Sequence, residues 1–515
     1  MLRHNYFFVV IFSLFLTQQA LGAVKYSTFD DSTKYKCSPR PEVECKGLMN
    51  THSEGQNQVF TLKRGVDAFT YRVKLIREAK RSIRMQYLIY KNDEAGRFIA
   101  NLLKQKHDEG VQVTLLVDML ASFGFGVWDF FRDLIKYGIE IASYEEPVTF
   151  IINEIFGSTP GSLLHRYHEK IMVVDGEDDE KGVAIMGGLN IANEYFRISK
   201  DAIHLWTDMD IGFKGTAVKD AMEMFDRDVN YFRQLTSSGH SQPSGEDIFN
   251  NNDLITRANK RPASSIEHGT LVDETPKTDL EKMTVEYANL PISALNLAIY
   301  TDAKVRLFQS RPRLKEFYIE EVYINMINES EKEIIIVNAY YIPSNNIKEA
   351  LRNAAKRGVK IHILTNSFGS TDMGGTITSV SQYYYHGLMS VNFDPMAIWS
   401  GGQVRIYEWK GRPIGEGTVH AKWATFDRKQ SIIGSYNLAP RSKYFDGESI
   451  VAVQSRSMGI ELAKYFHEEM LTFDKTKGKF TRSDEISPRQ AERFYNNVPG
   501  EQIKLWFQRL VEIHL

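Results

Sequence analysis

His168-Glu169-Lys170-Ile171-Met172-Val173-Val174-Asp175, followed by Gly187-Gly188-Leu189-Asn190, is the stretch on which the reading of this chain turns. It occurs again as His420-Ala421-Lys422-Trp423-Ala424-Thr425-Phe426-Asp427, followed by Gly434-Ser435-Tyr436-Asn437. Both copies read H-x-K-x4-D and then G-[GS]-x-N, with the histidines 252 and the asparagines 247 residues apart. One such match arises readily by chance. Two copies with the same trailing Gly and Asn mark a duplication.

The duplication extends upstream. The β-branched run RSIRMQYLIY (residues 81–90) leads through a polar turn into an amphipathic stretch ending at Gly110, then VQVTLLVD ending at Asp118. The run EIIIVNAYY (333–341) leads likewise to a helical stretch ending at Gly358 and then VKIHILTN ending at Asn366, each landmark 248 residues beyond its counterpart. A strand, a helix stopped by glycine and a second strand make a βαβ unit, which implies parallel strands. The chain is therefore expected to be α/β, with a first half over 58–236 and a second over 286–515 that ends in a C-terminal helix. Residues 237–285, rich in Ser, Asn, Asp, Gly and Pro, read as a linker or long loop.

HEKIMVV and HAKWATF are strand-like, so His and Lys, two apart, project to one side. Asp175 and Asp427 have the opposite parity, stand at turn entries and are expected to be structural. The strands VAIMGGLN and SIIGSYN then return Asn190 and Asn437 beside the His and Lys. Two such half-sites facing each other present two His, two Lys and two Asn around one point, which suits attack at phosphorus. One His would be the nucleophile, forming a phosphohistidine, while the other protonates the leaving alcohol and later deprotonates the incoming hydroxyl. Lys170, Lys422, Asn190 and Asn437 would hold the non-bridging oxygens, so neither a metal nor a cofactor is expected. Each imidazole needs an acceptor on its other nitrogen. Glu448, in RSKYFDGES, and Asp208, in LWTDMDIGF, are the candidates, with Asp210 competing with Asp208.

Of the 515 residues, 43% are hydrophobic and 25% charged, which excludes a disordered chain, a collagen-like fibre and a multi-pass membrane protein. Lys plus Arg number 63 against 65 Asp plus Glu, so there is no whole-chain electrostatic footprint for nucleic acid. Residues 1–22 read as a secretory signal: Arg3 and His4, an apolar run from Tyr6 to Leu16, then Ala20-Leu21-Gly22 with cleavage before Ala23. That run is shorter than the ~20 residues that span a bilayer; the alternative is an uncleaved anchor. Export to a periplasmic or extracellular space makes Cys37 and Cys45, in the extension 23–57, a candidate disulfide, with two idle thiols as the alternative.

Over nearly all of residues 60–475 the chain resembles the phospholipase D superfamily, and within it the bacterial cardiolipin synthases of the C type. MQYLIYKNDEAGRFIANLL, MGGLNIANEYF, NAYYIPS, ILTNSFGSTD and GSYNLAPRSKYFDGES fall in the order of that group. The resemblance implies two fused α/β/α halves with pseudo-two-fold symmetry and one active site at their interface. It also implies the phosphohistidine route, with His168 as nucleophile, His420 as acid and base, and Asp208 and Glu448 as imidazole partners. Ala439 departs from the pattern, standing where many relatives carry Asp before Pro-Arg-Ser. The implied substrate is a glycerophospholipid at a membrane surface. Head-group transfer of the cardiolipin-forming kind and hydrolysis to phosphatidic acid share the intermediate. A nuclease is the second class, disfavoured by the neutral charge, and a non-catalytic lipid-binding relative is the third, disfavoured by two intact motifs. Asn366, Ser367 and Asp372 follow a strand end, where α/β folds place ligands, and with Ser435 are candidate head-group contacts. The tyrosines 383–385 either line a lipid cleft or pack on the sheet, and QIKLWFQRLVEIHL (502–515) either rests on a membrane or packs on the second half.

Overall fold

The computed structural model describes residues 28–29, 57–118, 121–122, 127–143, 166–201, 204–237, 275–314, 316–372, 375–411, 417–474, 476 and 479–497. The signal stretch, Cys37, Cys45 and residues 502–515 lie outside the described residues.

Each βαβ unit forms for reasons visible in its own sequence. In the first, β2 (Ser82–Tyr87) leads to the helix Glu94–Asp108 and on to β3 (Gln112–Val117). Asp93 caps that helix by accepting from Gly96 N at 3.0 Å, and Gly110, at φ +86°, ends it. Gly110 N donates to His107 O and Val111 N to Lys106 O, the paired bonds of a Schellman turn. In the second unit, β10 (Glu333–Asn338), the helix Asn345–Lys356 and β11 (Lys360–Asn366) repeat this. Ser344 is the cap and Gly358, at φ +106°, the stop, with Gly358 N and Val359 N bonding Ala355 O and Ala354 O.

The first half is completed by β1 (Asn57–Leu62), β4 (Glu140–Ser143), β5 (Arg166–Tyr167), β6 (Lys170–Val174), β7 (Val183–Gly187) and β8 (Asp210–Gly215). The second adds β9 (Ala298–Ser310), β12 (Gln403–Trp409), β13 (Lys422–Phe426), β14 (Gln430–Gly434) and β15 (Asp446–Gln454). Strand order is β4-β3-β2-β6-β7-β8-β1 in one half and β9-β15-β14-β13-β10-β11-β12 in the other, and β1 pairs with β9 to join them. The two orders mirror each other, so the pseudo-two-fold passes through that joint.

Alternation along β10 sends Ile334 and Ile336 to one core and Ile335 and Val337 to another. The second of these cores is continuous across both halves, holding Val59, Ile171 and Phe213 together with Trp423, Val451 and Phe466. It binds the halves into one body by apolar burial. Crossing the end of the stretch read as linker, the helix Asp279–Ala288 packs Leu280, Met283 and Val285 on the first half's outer core. No helix among the described residues is long and apolar enough to cross a membrane.

Asp175 and Asp427 sit at φ +51° and +52°. The Asp175 carboxylate accepts from the backbone N–H of Lys80, Arg81 and Ser82 at 2.9, 2.7 and 3.0 Å. Asp427 accepts from Glu331, Lys332 and Glu333 at 2.9, 2.7 and 2.9 Å. Each fastens the loop entering β2 or β10, far along the strand from its histidine.

Candidate active site

His168 and His420 stand two residues before Lys170 and Lys422, the first residues of β6 and β13. Each histidine is fixed by the opposite half. β5 pairs in parallel with β15, and His168 N donates to Gly447 O at 2.7 Å. Symmetrically, Thr207 bridges to Val419, and His420 N donates to Thr207 O at 2.8 Å. The residue after each of these backbone acceptors carries the carboxylate that meets the ring. Glu448 lies 3.0 and 3.1 Å from His168 Nδ1, and Asp208 lies 2.7 Å from His420 Nδ1. With Nδ1 so engaged, Nε2 is the free nitrogen of His168. Ser442 donates to Glu448 and its hydroxyl also accepts from Asn437 N at 3.2 Å, tying that loop to the carboxylate.

The glycines of the motif are required by these approaches. A Cβ on Gly188 would stand 2.3 Å from Asp208 Oδ1, and one on Gly187 2.1 Å from Asp210 Oδ1. In the second copy Ser435 occupies the place of Gly188, and its hydroxyl bonds Ser449 N and O at 3.0 and 3.2 Å. Asp210 is spent on a buried ion pair with Arg72, which leaves Asp208 to the histidine.

All four motif cations and bases are buried. Burial, with Lys170 and Lys422 close by, holds the His168 pKa well below its usual value. His420 is lowered too, by burial and Lys422, but Asp208 and Asp372 oppose the shift. Burial brings Lys170 down to about 7 and Lys422 to about 8. Glu448 is pushed up by burial and by Asp446; burial also acts to raise Asp208, but its bond to His420 outweighs this and holds it low.

A family model described as cardiolipin synthase, phospholipase D-like domain, matches residues 73–229 and 323–471, more than half of the chain. The chain belongs to the phospholipase D superfamily. Similar phospholipase D-like chains include a probable cardiolipin synthase of Bacillus subtilis, 23% identical over 90% of this chain and 73% of that one. A cardiolipin synthase of Clostridium perfringens is 24% identical, covering 83% and 75%. Among solved structures, a phosphatidylserine synthase from Haemophilus influenzae superposes with a TM-score of 0.54 at 14% identity, over 89% of this chain and 95% of that one. That likeness is one of fold.

The remaining candidate residues of this phospholipase D-like site are distributed as follows. Asn190 Nδ2 donates to Tyr195 OH at 2.8 Å and Oδ1 accepts from Ile89 N at 3.1 Å. The side-chain oxygen of Asn437 is buried without a hydrogen-bond partner. Asn366 faces backbone: its amide bonds Ala339 O, Val419 O and Val419 N at 3.0, 2.7 and 3.0 Å, so it positions the strand entering His420. Ser367 accepts from Gly369 N in a local turn. Asp372 is exposed, accepts from Tyr340 OH at 2.6 Å and contributes to the field at His420 and Lys422. Of the tyrosines, Tyr385 is buried and donates to Glu408, while Tyr383 stacks on Tyr495 at 4.9 Å.

Sequence reasoning passed over Tyr195 and Trp206, whose rings stand 5.2 and 5.6 Å from the His420 ring. Trp206 had a signal: two residues before Asp208, it shares that residue's side of an extended segment. Arg441, which pairs with Asp446 at 3.0 Å, adds its charge beside His168 and had none beyond its place near Glu448.

Proposed function

We propose that the protein is a phosphatidyltransferase acting on glycerophospholipids, the donor phosphatidyl group passing through a phosphohistidine at His168. The observation that carries this reading is the crossed pair of histidines, each held at Nδ1 by a carboxylate of the other half, with two buried lysines between them. His168, among cations, stays neutral and presents Nε2 to phosphorus. The P–N bond forms as the P–O bond to the head-group alcohol breaks, and His420 gives that oxygen its proton. The acceptor hydroxyl then loses its proton to His420 and attacks phosphorus, which releases His168. Lys170, Lys422 and the two asparagines are the donors for the phosphoryl oxygens. Asp372 and Tyr340 would meet the alcohol on the His420 side. An acceptor that is a second lipid gives a cardiolipin-like product; water gives phosphatidic acid. The names of the curated relatives favour the lipid acceptor. Residues 1–22 support export, with the protein working at a membrane surface from the outer side.

The test is incubation of the purified protein with phosphatidylglycerol vesicles in EDTA, and in parallel with single-stranded DNA. Cardiolipin and free glycerol are expected, with a phosphohistidine trapped on acid-free quenching in the wild type and lost in His168→Ala. Phosphatidic acid alone would make it a lipase, cut DNA a nuclease, and full activity in His168→Ala would end the mechanism.

A further inference from the structure

Away from the catalytic centre, three metal-ligating side chains converge. Glu333 opens β10, His362 lies in β11, and His467 lies in the π-helical turn Tyr465–Leu471 that continues the helix Arg456–Lys464. One ligand atom from each lies within 4.8 Å of the others. The two imidazoles meet edge to face with centroids 5.3 Å apart, and His467 Nε2 is 3.5 Å from Glu333 Oε1. Glu333 and His362 stand at the starts of parallel strands, whereas Asn338, at the end of β10, is the residue that pairs with Lys422. The cluster is thus at the opposite end of the sheet from the histidines of the motif.

The fold does not call for these residues. Asp175 N donates to Ser82 O as Asp427 N does to Glu333 O, so Ser82 is the counterpart of Glu333. Ser82 pairs with Gln112 as Glu333 does with Lys360, which makes Thr114 the counterpart of His362. There the same position is filled by ordinary hydrogen bonds, Thr114 to Glu140 and Ser82 to Glu177. Among the described residues, only the second half carries two nitrogen ligands and a carboxylate here. The ring of His467 is reached through a π-helical turn, a distortion often found where a helix must aim a functional side chain. Two imidazoles and one carboxylate, partly open to solvent, are the donor set of three-ligand zinc sites that leave a fourth position open. The atoms need to close by about an ångström to the spacing set by bonds of ~2.0–2.1 Å. Arg428, half exposed and bonded to Glu333 at 2.6 and 3.1 Å, competes with the ion for the carboxylate.

We propose that Glu333, His362 and His467 bind one divalent transition-metal ion, zinc foremost, which clamps the π-helical turn to the ends of β10 and β11. This does not rest on the reading of the catalytic centre. The full chain, stripped with EDTA and desalted, is titrated with zinc chloride by calorimetry and with cobalt chloride by visible absorption. One equivalent is expected to bind with a cobalt spectrum of nitrogen-containing coordination, and zinc is expected to raise Tm. His467→Ala, or His467→Gln should the first variant unfold, loses the step and the Tm shift, while His168→Ala and His420→Ala keep both. Absence of the step in the wild type, its persistence in the His467 variants, or its loss in His168→Ala would overturn the proposal.

Discussion

Around His420 stand Tyr195, Trp206, Asp208 and Lys422, whose Nζ lies 2.7 and 2.9 Å from the two ring nitrogens, with Asp372 at longer range; around His168 stand Glu448, Lys170, Lys422 and Arg441. The halves repeat a backbone but not an electrostatic setting. At His420 the carboxylates of Asp208 and Asp372 oppose the lowering by burial and Lys422, whereas at His168 burial and the neighbouring cations act together to favour the neutral form. A duplicated fold can in this way divide a two-step reaction, one copy supplying the nucleophile and the other the proton. The largest expected effect tests that division. Both His168→Ala and His420→Ala should lower turnover of a natural phospholipid by about 10³-fold or more. With a p-nitrophenyl phosphodiester, whose leaving group needs no proton, His420→Ala should recover formation and burst release of nitrophenol while His168→Ala stays inactive. Equal rescue of both, measured by stopped-flow absorbance, would break the asymmetry.

Where the halves agree, variants should agree too. Asp175 and Asp427 each accept from three consecutive backbone N–H groups. Replacing either by Ala leaves those donors without their charged acceptor, and charge-assisted bonds of this kind carry about 1.5–3 kcal/mol each when intact. The bonds are not additive, so a loss of about 2–4 kcal/mol is expected for Asp175→Ala and for Asp427→Ala alike. Urea-unfolding midpoints read this. A loss confined to one half would mean that the halves unfold separately and that only one limits the transition.

The same contrast separates what could be read from the sequence from what could not. The βαβ units were legible because glycine stops, caps and β-branched runs act locally, and the repeat supplied each signal twice. The His-Lys-Asn sets were legible because their spacing is a strand property. Which carboxylate meets which histidine was not, since Glu448 reaches His168 through pairing of β5 with β15, set between halves. Asn366 reads alike whether it faces a ligand or a neighbouring backbone, and only packing shows its amide spent on Ala339 and Val419. The helix Asp279–Ala288 was hidden behind a polar stretch, its few apolar residues sufficing because they dock on a core already formed.

The smallest effect comes from the one position of the motif where the copies differ in charge. Glu169 lies between His168 and Lys170, where the second copy has Ala421. It is fully buried, accepts from Gln309 Nε2 at 2.8 Å, and shares that donor with Asp228 at 2.7 Å. Its other oxygen has no hydrogen-bond partner. Burial and the Asp228 charge raise its pKa from 4.5 to about 8. A group raised in the folded state keeps its proton there while the unfolded chain releases it, so the folded form loses ground as pH rises from 4.5 towards 8. Glu169→Gln cannot ionise and removes that slope. At pH 5 the variant should be near or slightly below the wild type, its amide N–H unmatched; at pH 8.5 it should be more stable by about 1 kcal/mol, with Arg311 and Arg227 limiting the gain. Ala421→Glu, adding the same charge to the other copy, should destabilise at both pH values because no Gln309 awaits it. A stability difference between Glu169→Gln and wild type that does not change with pH would show Glu169 ionised in place, and the first half would then hold its histidine against a buried negative charge.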